Sequence, residues 1–237
     1  MLTPRPASNS AISLSGLIHS VHLPHEGTST NTPLVLLVHG RAGNDRVMWT
    51  FSSTVKGLNP IVIAPQAPLS DPIGGFSWWP IDESIQDPEE RMTKNHAQLN
   101  TALEKLEHFI STLPALYGIK TKNIIAMGFS QGAGIISTLS LKRPELFSGV
   151  ALLAGFVPRV VVQRNAFVST TTTPRPNYFI FHGTEDQMVP IKRAEQARDF
   201  LIGLGCAVEY HTDAVKHKVS ASGIKALKCW VDGLLIS

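Results

Sequence analysis

Short, continuous runs of apolar residues recur along the chain, and each run ends in small or polar residues. The runs are LVLLVHG (34–40), IVIAPQ (61–66), NIIAMGFS (123–130), VALLAG (150–155) and YFIFHG (178–183). Runs this short and this rich in Ile, Val, Leu and Phe are typical of strands buried on both faces of a parallel sheet. The pattern therefore predicts a largely parallel sheet that is covered on both sides.

Helical patterns lie between these runs. In residues 88–113, apolar side chains recur at steps of three, four and seven, which places them on one face of a helix. Residues 190–205 open with proline and close with glycine, the usual start and stop signals of a helix. A third amphipathic pattern, near the C-terminus, follows Ser220 or Ser222, either of which is a suitable N-cap. The apolar positions of the first and third patterns are Met92, Leu99, Leu103, Leu106, Ile110, Leu113, Ile224, Leu227, Val231 and Leu234.

The alternation of strand and helix predicts an α/β fold, with a mostly parallel twisted sheet and helices on both faces. We expect residues 1–10 to form a flexible tail and residues 11–24, where apolar and polar positions roughly alternate, to form a partly exposed strand. Residues 11–237 are predicted to be one domain, because 237 residues of which 43% are hydrophobic suit a single core. The long segment 67–88 interrupts the alternation, and such loops often carry specificity.

Charge and composition exclude several classes of partner. The net charge is +3, but the basic residues are scattered, so no nucleic-acid partner is expected. No apolar run approaches the ~20 residues of a membrane span, and the N-terminus lacks the apolar core of a signal peptide. Cys206 and Cys229 allow one disulfide but form no disulfide framework, so reduced thiols are expected. We therefore expect a cytoplasmic protein with no stable membrane insertion.

The segment AMGFSQGAG (126–134) is the first candidate for chemistry. Ser130 ends a predicted strand and precedes a predicted helix, and in open α/β sheets ligands bind beyond the carboxyl ends of the strands. A serine on this sharp turn has strained backbone angles and an exposed hydroxyl, and glycines at 128 and 132 avoid collisions of Cβ atoms with the turn. The alternative is that Ser130 is only a small residue in a tight turn, so catalytic partners must decide.

A nucleophilic serine needs a base, and the base needs a group that orients it. In this kind of fold the partners follow in the order Ser, then Asp or Glu, then His. Asp186 lies just beyond the end of the strand YFIFHG, with Glu185 as the rival carboxylate, and His217 lies in a loop before the last helix. His211 belongs to the preceding strand, which favours a structural role. The sequence thus predicts a catalytic set of Ser130, Asp186 and His217.

An oxyanion hole requires two backbone N–H groups. One comes from Gln131, the residue after the serine, and the second is expected from Arg41, in the loop after LVLLVHG. His39 in that loop precedes the serine in the chain, so it is expected to order the loop by hydrogen bonding rather than to act as the base. The same structural role is expected of His182.

With these residues assigned, the chain resembles the phospholipase/carboxylesterase group of α/β-hydrolases, which includes the acyl-protein thioesterases. The resemblance extends from about residue 11 to the end. LVHGRAGN resembles the family's oxyanion loop, GFSQGA its nucleophile turn, HGTEDQMVP its acid segment and HKVS its histidine segment. One position departs from the family: Lys216 stands where members usually have glycine before the histidine.

The resemblance implies a two-step hydrolysis of a small-molecule ester or thioester by an acyl-enzyme route, without a metal or an organic cofactor. We expect a monomer or a homodimer. The segment GGFSWWPID supplies Phe76, Trp78 and Trp79 as a wall or lid over an acyl pocket, which the resemblance extends to Met188. The alternative is that these rings only cap the sheet. Two indoles would fill a long channel, which favours short to medium acyl chains.

Several functions remain open on this machinery. A carboxylesterase is the leading interpretation, and a thioesterase or lysophospholipase would use the same residues. A dienelactone-type hydrolase usually has cysteine at the position of Ser130. A catalytically silent binding protein on the same scaffold would be expected to lose a catalytic residue, whereas this chain keeps the whole set.

Overall fold

Ten strands and six α-helices make up the described part of the computed structural model, which covers residues 2–24, 27–28, 32–82, 84–87, 90, 94, 96–119, 124–164, 168 and 174–234. The strands are β1 (Arg5–Pro6), β2 (His19–His22), β3 (Leu34–Val38), β4 (Ile61–Pro65), β5 (Leu69–Ser70), β6 (Phe76–Ser77), β7 (Ile124–Phe129), β8 (Phe147–Leu153), β9 (Asn177–Gly183) and β10 (Val208–Asp213). The helices are α1 (Asn9–Ser15), α2 (His96–Tyr117), α3 (Gln131–Lys142), α4 (Arg159–Arg164), α5 (Ile191–Gly203) and α6 (Ala221–Leu234). Short 3-10 helices cover Val47–Thr54, Lys56–Leu58 and Pro144–Leu146.

Eight strands form one sheet in the order β1-β2-β4-β3-β7-β8-β9-β10. The six strands from β4 to β10 along this order run parallel, and β1 and β2 add an antiparallel edge. The strands β5 and β6 form a separate two-stranded hairpin. The predicted α/β architecture is confirmed, and the carboxyl ends of the parallel strands share one edge of the sheet.

Both faces of the sheet are covered, as the continuous apolar runs require. Along β3, Leu34, Leu36 and Val38 belong to one core, and Val35 and Leu37 belong to the other, because successive side chains point to opposite faces. Helices α2, α3 and α5 pack in the first core, and α6 with the 3-10 helix Val47–Thr54 packs in the second. Strands buried on both sides have no polar face, so their sequences do not alternate.

The N-terminal region only partly follows the prediction of a tail followed by a strand, because β2 covers only His19–His22 of the stretch 11–24. Arg5–Pro6 pairs with β2, and α1 occupies part of the stretch expected to be extended. Ser8 caps this helix by accepting a hydrogen bond from the N–H of Ala11, and Gly16 ends it in the left-handed conformation at φ 74°. These two cap signals define a short helix and outweigh the approximate alternation of residues 11–15.

The helices predicted from periodicity are present. Five positions of the first pattern are buried on α2, namely Leu99, Leu103, Leu106, Ile110 and Leu113, whereas Met92 lies outside the described residues. Helix α5 follows Pro190 directly. Of the two candidate caps of α6, Ser220 accepts the N–H of Gly223 at 3.0 Å. Cys206 is buried, Cys229 is exposed, and both are free thiols. None of the helices in the described ranges has the length and apolar character needed to cross a bilayer.

Candidate active site

Ser130 occupies a strained turn between β7 and α3. Its φ of 52° and ψ of −115° lie where residues other than glycine are rarely found. The turn is held on both sides: the N–H of Ser130 donates to the carbonyl of Leu153 at 2.9 Å, and its own carbonyl accepts the N–H groups of Ala133 and Gly134. Strain that is stabilised in this way is characteristic of a functional residue rather than of a passive turn.

The glycines on either side of Ser130 are required by close approaches of the backbone. A Cβ atom on Gly128 would lie 2.5 Å from the carbonyl oxygen of Gly132, and one on Gly132 would lie 2.2 Å from the carbonyl oxygen of Val38. The turn therefore packs directly on β3, whose carboxyl end carries the predicted oxyanion loop. This contact brings Arg41 and Ser130 to one cavity.

His217 and Asp186 are joined by a hydrogen bond of 2.7 Å between Nδ1 and Oδ2. The Asp186 carboxylate is fully buried, and its Oδ1 accepts the N–H groups of Met188 and Val189, both at 2.9 Å. With Nδ1 donating to the carboxylate, Nε2 is the imidazole nitrogen left to accept a proton. The ring packs against Phe129, with centroids 5.0 Å apart.

The rival residues lie elsewhere. Glu185 is exposed, and the carboxylate that contacts His217 belongs to Asp186. His211 lies within β10, stacked on Phe179 and paired with Glu209, which agrees with the structural role expected of it.

His182 supports the acid from beneath. Its Nε2 lies 2.7 Å from the carbonyl oxygen of Val189 and 3.3 Å from Oδ2 of Asp186. Burial lowers the pKa of this imidazole, so it remains neutral and Nε2–H donates to the carbonyl. The ordering role expected of His182 is confirmed.

His39 orders the loop after β3, as predicted. Its Nδ1 lies 2.6 Å from the carbonyl oxygen of Gly40, and its Nε2 accepts the N–H of Ala67 at 2.9 Å. Burial lowers the pKa of the His39 imidazole, which keeps one nitrogen as donor and the other as acceptor. The loops after β3 and β4 are thereby fastened together.

Sequence reasoning missed Asp71. Its Oδ2 accepts hydrogen bonds from Arg41 Nε at 3.0 Å and from Ser77 Oγ at 2.6 Å, and the Ser77 hydroxyl in turn accepts the N–H of Ala42 at 3.2 Å. Burial alone would raise the pKa of the Asp71 carboxyl, but the bonds from Ser77 and Arg41 outweigh it and lower the pKa. This network holds the predicted oxyanion loop in place. Nothing in a single loop aspartate signals a partner 30 positions away.

Gln131 has a side-chain role that the sequence did not reveal. Its Oε1 accepts the N–H of Trp78 at 2.9 Å, and its Nε2 donates to the carbonyl of Trp79 at 2.8 Å. The residue after the candidate nucleophile therefore fixes the two-tryptophan segment to the start of α3. The N–H of one tryptophan and the carbonyl of the other are therefore both held by the same amide.

Two of the predicted pocket residues do not line the cavity. The Trp78 side chain is fully buried, and its indole N–H donates to the carbonyl of His39 at 2.8 Å. Phe76 is half-buried against the core, and its N–H donates to the carbonyl of Gly43. The backbone turns these two rings inward, away from the cavity.

A cavity of about 410 Å³ opens at this edge of the sheet. Ser130, His217, Arg41 and Gln131 line it, and so do Trp79 and Met188. Further apolar wall is supplied by Ile81, Phe156, Val189 and Pro190. Within the described ranges, no group of three or more His, Cys, Asp or Glu side chains has the arrangement of a metal site.

Lys216, at the position where the resemblance leads one to expect glycine, fits this arrangement. Its φ is not in the left-handed region, so no glycine is required, and its side chain is exposed. Its carbonyl accepts the N–H of Lys218 at 2.7 Å, which tightens the turn carrying His217.

Comparisons with known proteins place the chain in a family. The phospholipase/carboxylesterase family matches residues 24–234. Acyl-protein thioesterase 1 of Yarrowia lipolytica is 27% identical over 197 residues, which are 77% of this chain and 81% of that protein. A probable inactive carboxylesterase of Oryza sativa subsp. japonica is 24% identical over 182 residues, 73% of this chain and 69% of that protein.

The fold has close counterparts among solved structures. The crystal structure of esterase PE8 matches with a TM-score of 0.81 at 23% identity, covering 92% of this chain and 99% of that one. This likeness shows the fold, and the family match covers every residue of the described site. The chain therefore belongs to the phospholipase/carboxylesterase family of α/β-hydrolases, whose members are serine hydrolases.

Proposed function

We propose that this hydrolase cleaves carboxylic esters with Ser130 as nucleophile, His217 as general base and Asp186 as the group that orients the base. The observation that carries the proposal is the hydrogen bond between His217 Nδ1 and the buried Asp186 carboxylate, beside a cavity that the strained Ser130 also lines. Nucleophile, base and orienting acid are the three parts that serine catalysis requires.

In the first step, Ser130 Oγ attacks the ester carbonyl and its proton passes to His217 Nε2. The resulting tetrahedral oxyanion accepts hydrogen bonds from the backbone N–H groups of Gln131 and Arg41, each contributing about 3–4 kcal/mol by precedent. Gln131 is the first residue of α3, so the N-terminal end of that helix dipole also favours the negative charge.

Collapse of this intermediate breaks the bond to the alcohol, which leaves with the proton held by His217. Water then gives a proton to the same imidazole and attacks the acyl-enzyme. Collapse of this second intermediate returns that proton to Ser130 Oγ and releases the acid. The N–H groups of Met188 and Val189 stabilise the negative charge of the Asp186 carboxylate. It holds the tautomer in which Nδ1 is protonated.

The dimensions of the cavity support short to medium acyl chains. A volume of about 410 Å³ is near the lower end of the range of ligand pockets, ~300–1,000 Å³. Trp79 forms part of its wall. A thioester would fit the same machinery, so an acyl thioesterase is the second candidate, favoured by the Yarrowia lipolytica relative. The single domain, the cytoplasmic location and a monomeric or dimeric state remain predictions.

The first experiment is hydrolysis of p-nitrophenyl esters with acyl chains of about two to sixteen carbons. We expect rates that peak at short to medium length and that fall by at least ~10³-fold in Ser130→Ala. Ser111→Ala, the same change at an exposed position on α2, is the matched control and keeps full activity. A peak at long chains would overturn the chain-length proposal, and activity retained in Ser130→Ala would overturn the mechanism. Paired oxygen esters and thioesters of one acyl group then separate the two candidate activities.

A further inference from the structure

The cavity carries more positive charge than ester hydrolysis requires. Arg159, Lys192 and Arg193 line it in addition to Arg41, and no Asp or Glu is found among the described residues that line it. The charge of Arg41 is matched by Asp71, outside the cavity. The surplus therefore resides mainly at the start of α5, where Lys192 and Arg193 are neighbours.

Arg193 is the most informative of these residues. It is half-buried, its guanidinium lies 5.0 Å from the ring centroid of Phe156, and no carboxylate of a described residue forms an ion pair with it. Burial and the nearby charge of Arg159 lower the pKa of Arg193 to about 10, so it is still a cation at neutral pH. A guanidinium placed over an aromatic ring by a cation–π contact still has its N–H groups available to bind a ligand.

The position of these cations along the helix is electrostatically unfavourable. Lys192 and Arg193 stand in the first turn of α5, which contains no acidic residue and whose N-cap, Pro190, offers no side-chain hydrogen bond. The positive end of a helix dipole repels cations by about 0.3–1 kcal/mol each. An anion in the cavity would reverse the sign of this interaction, because it would meet two side-chain cations and a helix N-terminus together.

We propose that the cavity selects esters that carry a second group, a carboxylate, bound by Arg193 with Lys192 beside it, while the ester carbonyl lies at Ser130. This inference rests on the proposed ester hydrolysis. It names the substrate class as esters that also carry a free carboxylate, on either the acyl side or the alcohol side. The apolar wall of Trp79 and Phe156 would contact the hydrocarbon part between the two functional groups. A guanidinium is well matched to this anion because its parallel N–H groups bind both carboxylate oxygens.

The test compares charged and neutral members of matched ester pairs. For a carboxylate on the acyl side, the pair is mono-p-nitrophenyl adipate and its methyl ester. The adipate chain is too long for its free carboxylate to attack the p-nitrophenyl ester rapidly. For a carboxylate on the alcohol side, the pair is 4-carboxyphenyl hexanoate and its methyl ester. In each pair the ratio of kcat/KM, charged ester over neutral ester, is measured for wild type and for Arg193→Gln. Comparing this ratio between the two proteins cancels the difference in intrinsic reactivity between the two esters.

We expect this ratio to fall about tenfold or more in Arg193→Gln for at least one pair, the size typical of losing a charge-assisted hydrogen bond. Arg193→Lys, which keeps the charge without the planar fork, should keep part of the preference. Raising the salt concentration should weaken it in wild type. Arg198→Gln is the matched control, because Arg198 lies on the same helix but pairs with Asp199 and stacks on Tyr210 away from the cavity.

The two proposals fail in different ways. If Ser130-dependent hydrolysis is present but Arg193→Gln leaves both ratios unchanged, the carboxylate site is wrong and the esterase stands. If wild type cleaves no ester, the proposed function fails, and calorimetric binding of mono-p-nitrophenyl adipate to Ser130→Ala decides on the site. Binding that requires Arg193 would support it, and equal binding by the Arg193→Gln double variant would overturn it.

Discussion

His217 and Asp186 lie 31 positions apart in the chain, yet Nδ1 of the imidazole and Oδ2 of the buried carboxylate are only 2.7 Å apart. Two backbone N–H groups fix the other carboxylate oxygen, Oδ1, and so hold the carboxylate in place. Because Oδ2 can only accept a hydrogen bond, the imidazole must face it in the tautomer with the proton on Nδ1.

Asp186→Asn tests this relationship directly. An amide that accepts the two backbone N–H groups with its oxygen would turn its NH₂ group toward His217 and favour the wrong tautomer. We expect kcat to fall by about 10³–10⁴-fold with the fold intact. Steady-state kinetics with a p-nitrophenyl ester measure the loss. Glu185→Gln is the control, because that carboxylate is exposed, and it should stay within about twofold of wild type. Comparable losses in both variants would contradict the assignment of the acid.

The Arg41–Asp71 pair predicts that Asp71→Asn destabilises the loop that carries Arg41. We expect a loss of about 1–3 kcal/mol in the free energy of unfolding, since Arg41 and Ser77 lose a charged acceptor. Because the folded-state pKa of Asp71 is lowered, its contribution is complete above the unfolded value of about 3.9 and is lost as the pH falls through the folded value. Urea denaturation at several pH values should therefore show the two proteins converging in acid. A difference that grows below pH 4 would contradict this account.

Buried histidines predict a second pH dependence in a higher range. Burial lowers the folded-state pKa of His19, His39 and His182, so between those values and the unfolded value of about 6.5 the unfolded chain binds more protons. Stability should therefore fall as the pH is lowered from 7 toward 5, before most carboxylates titrate. Denaturation midpoints across this interval measure the slope, and a flat profile would show that these imidazoles are not held neutral.

Substitutions at Trp78 and Met188 should have different effects, the first on stability and the second on substrate binding. Trp78→Phe removes a buried indole and its hydrogen bond to His39, so we expect about 1–3 kcal/mol of destabilisation. Met188 is 75% exposed and lines the cavity, so Met188→Ala should leave the melting temperature nearly unchanged and raise KM for apolar esters. Thermal melts and a KM series on both variants check this division. A large stability loss in Met188→Ala would be inconsistent with its exposure.

Much of the site could be predicted because its residues follow strands. A buried strand can be recognised from its composition, and the carboxyl ends of parallel strands lie at one edge of the sheet. The convergence of Ser130, Asp186 and His217 can therefore be predicted from the sequence. The N-terminal helix was missed for the opposite reason. It is too short for periodicity to show, and only its caps at Ser8 and Gly16 define it.

The remaining features depend on where individual side chains point. Adjacent indoles at 78 and 79 look alike in sequence, and the choice of which one faces the cavity is made by the backbone of the loop. The pairing of Arg41 with Asp71 and the stacking of Arg193 on Phe156 join distant segments. Neither contact leaves a local pattern, because the partners contribute to no common helix or strand.

Gln131 gives the tryptophan segment a particular mechanical character. Its amide grips the backbone of Trp78 and Trp79, while its own N–H is the proposed donor to the oxyanion. Swinging that segment outward would break both bonds, at about 1 kcal/mol each, and would also lose the burial of Trp78 and its bond to His39, so an open form would hold less than about 3% of the molecules. We therefore expect the segment to act as a fixed wall rather than a mobile lid. A substrate too bulky for the cavity would have to disturb Gln131, the same residue that is the proposed oxyanion donor.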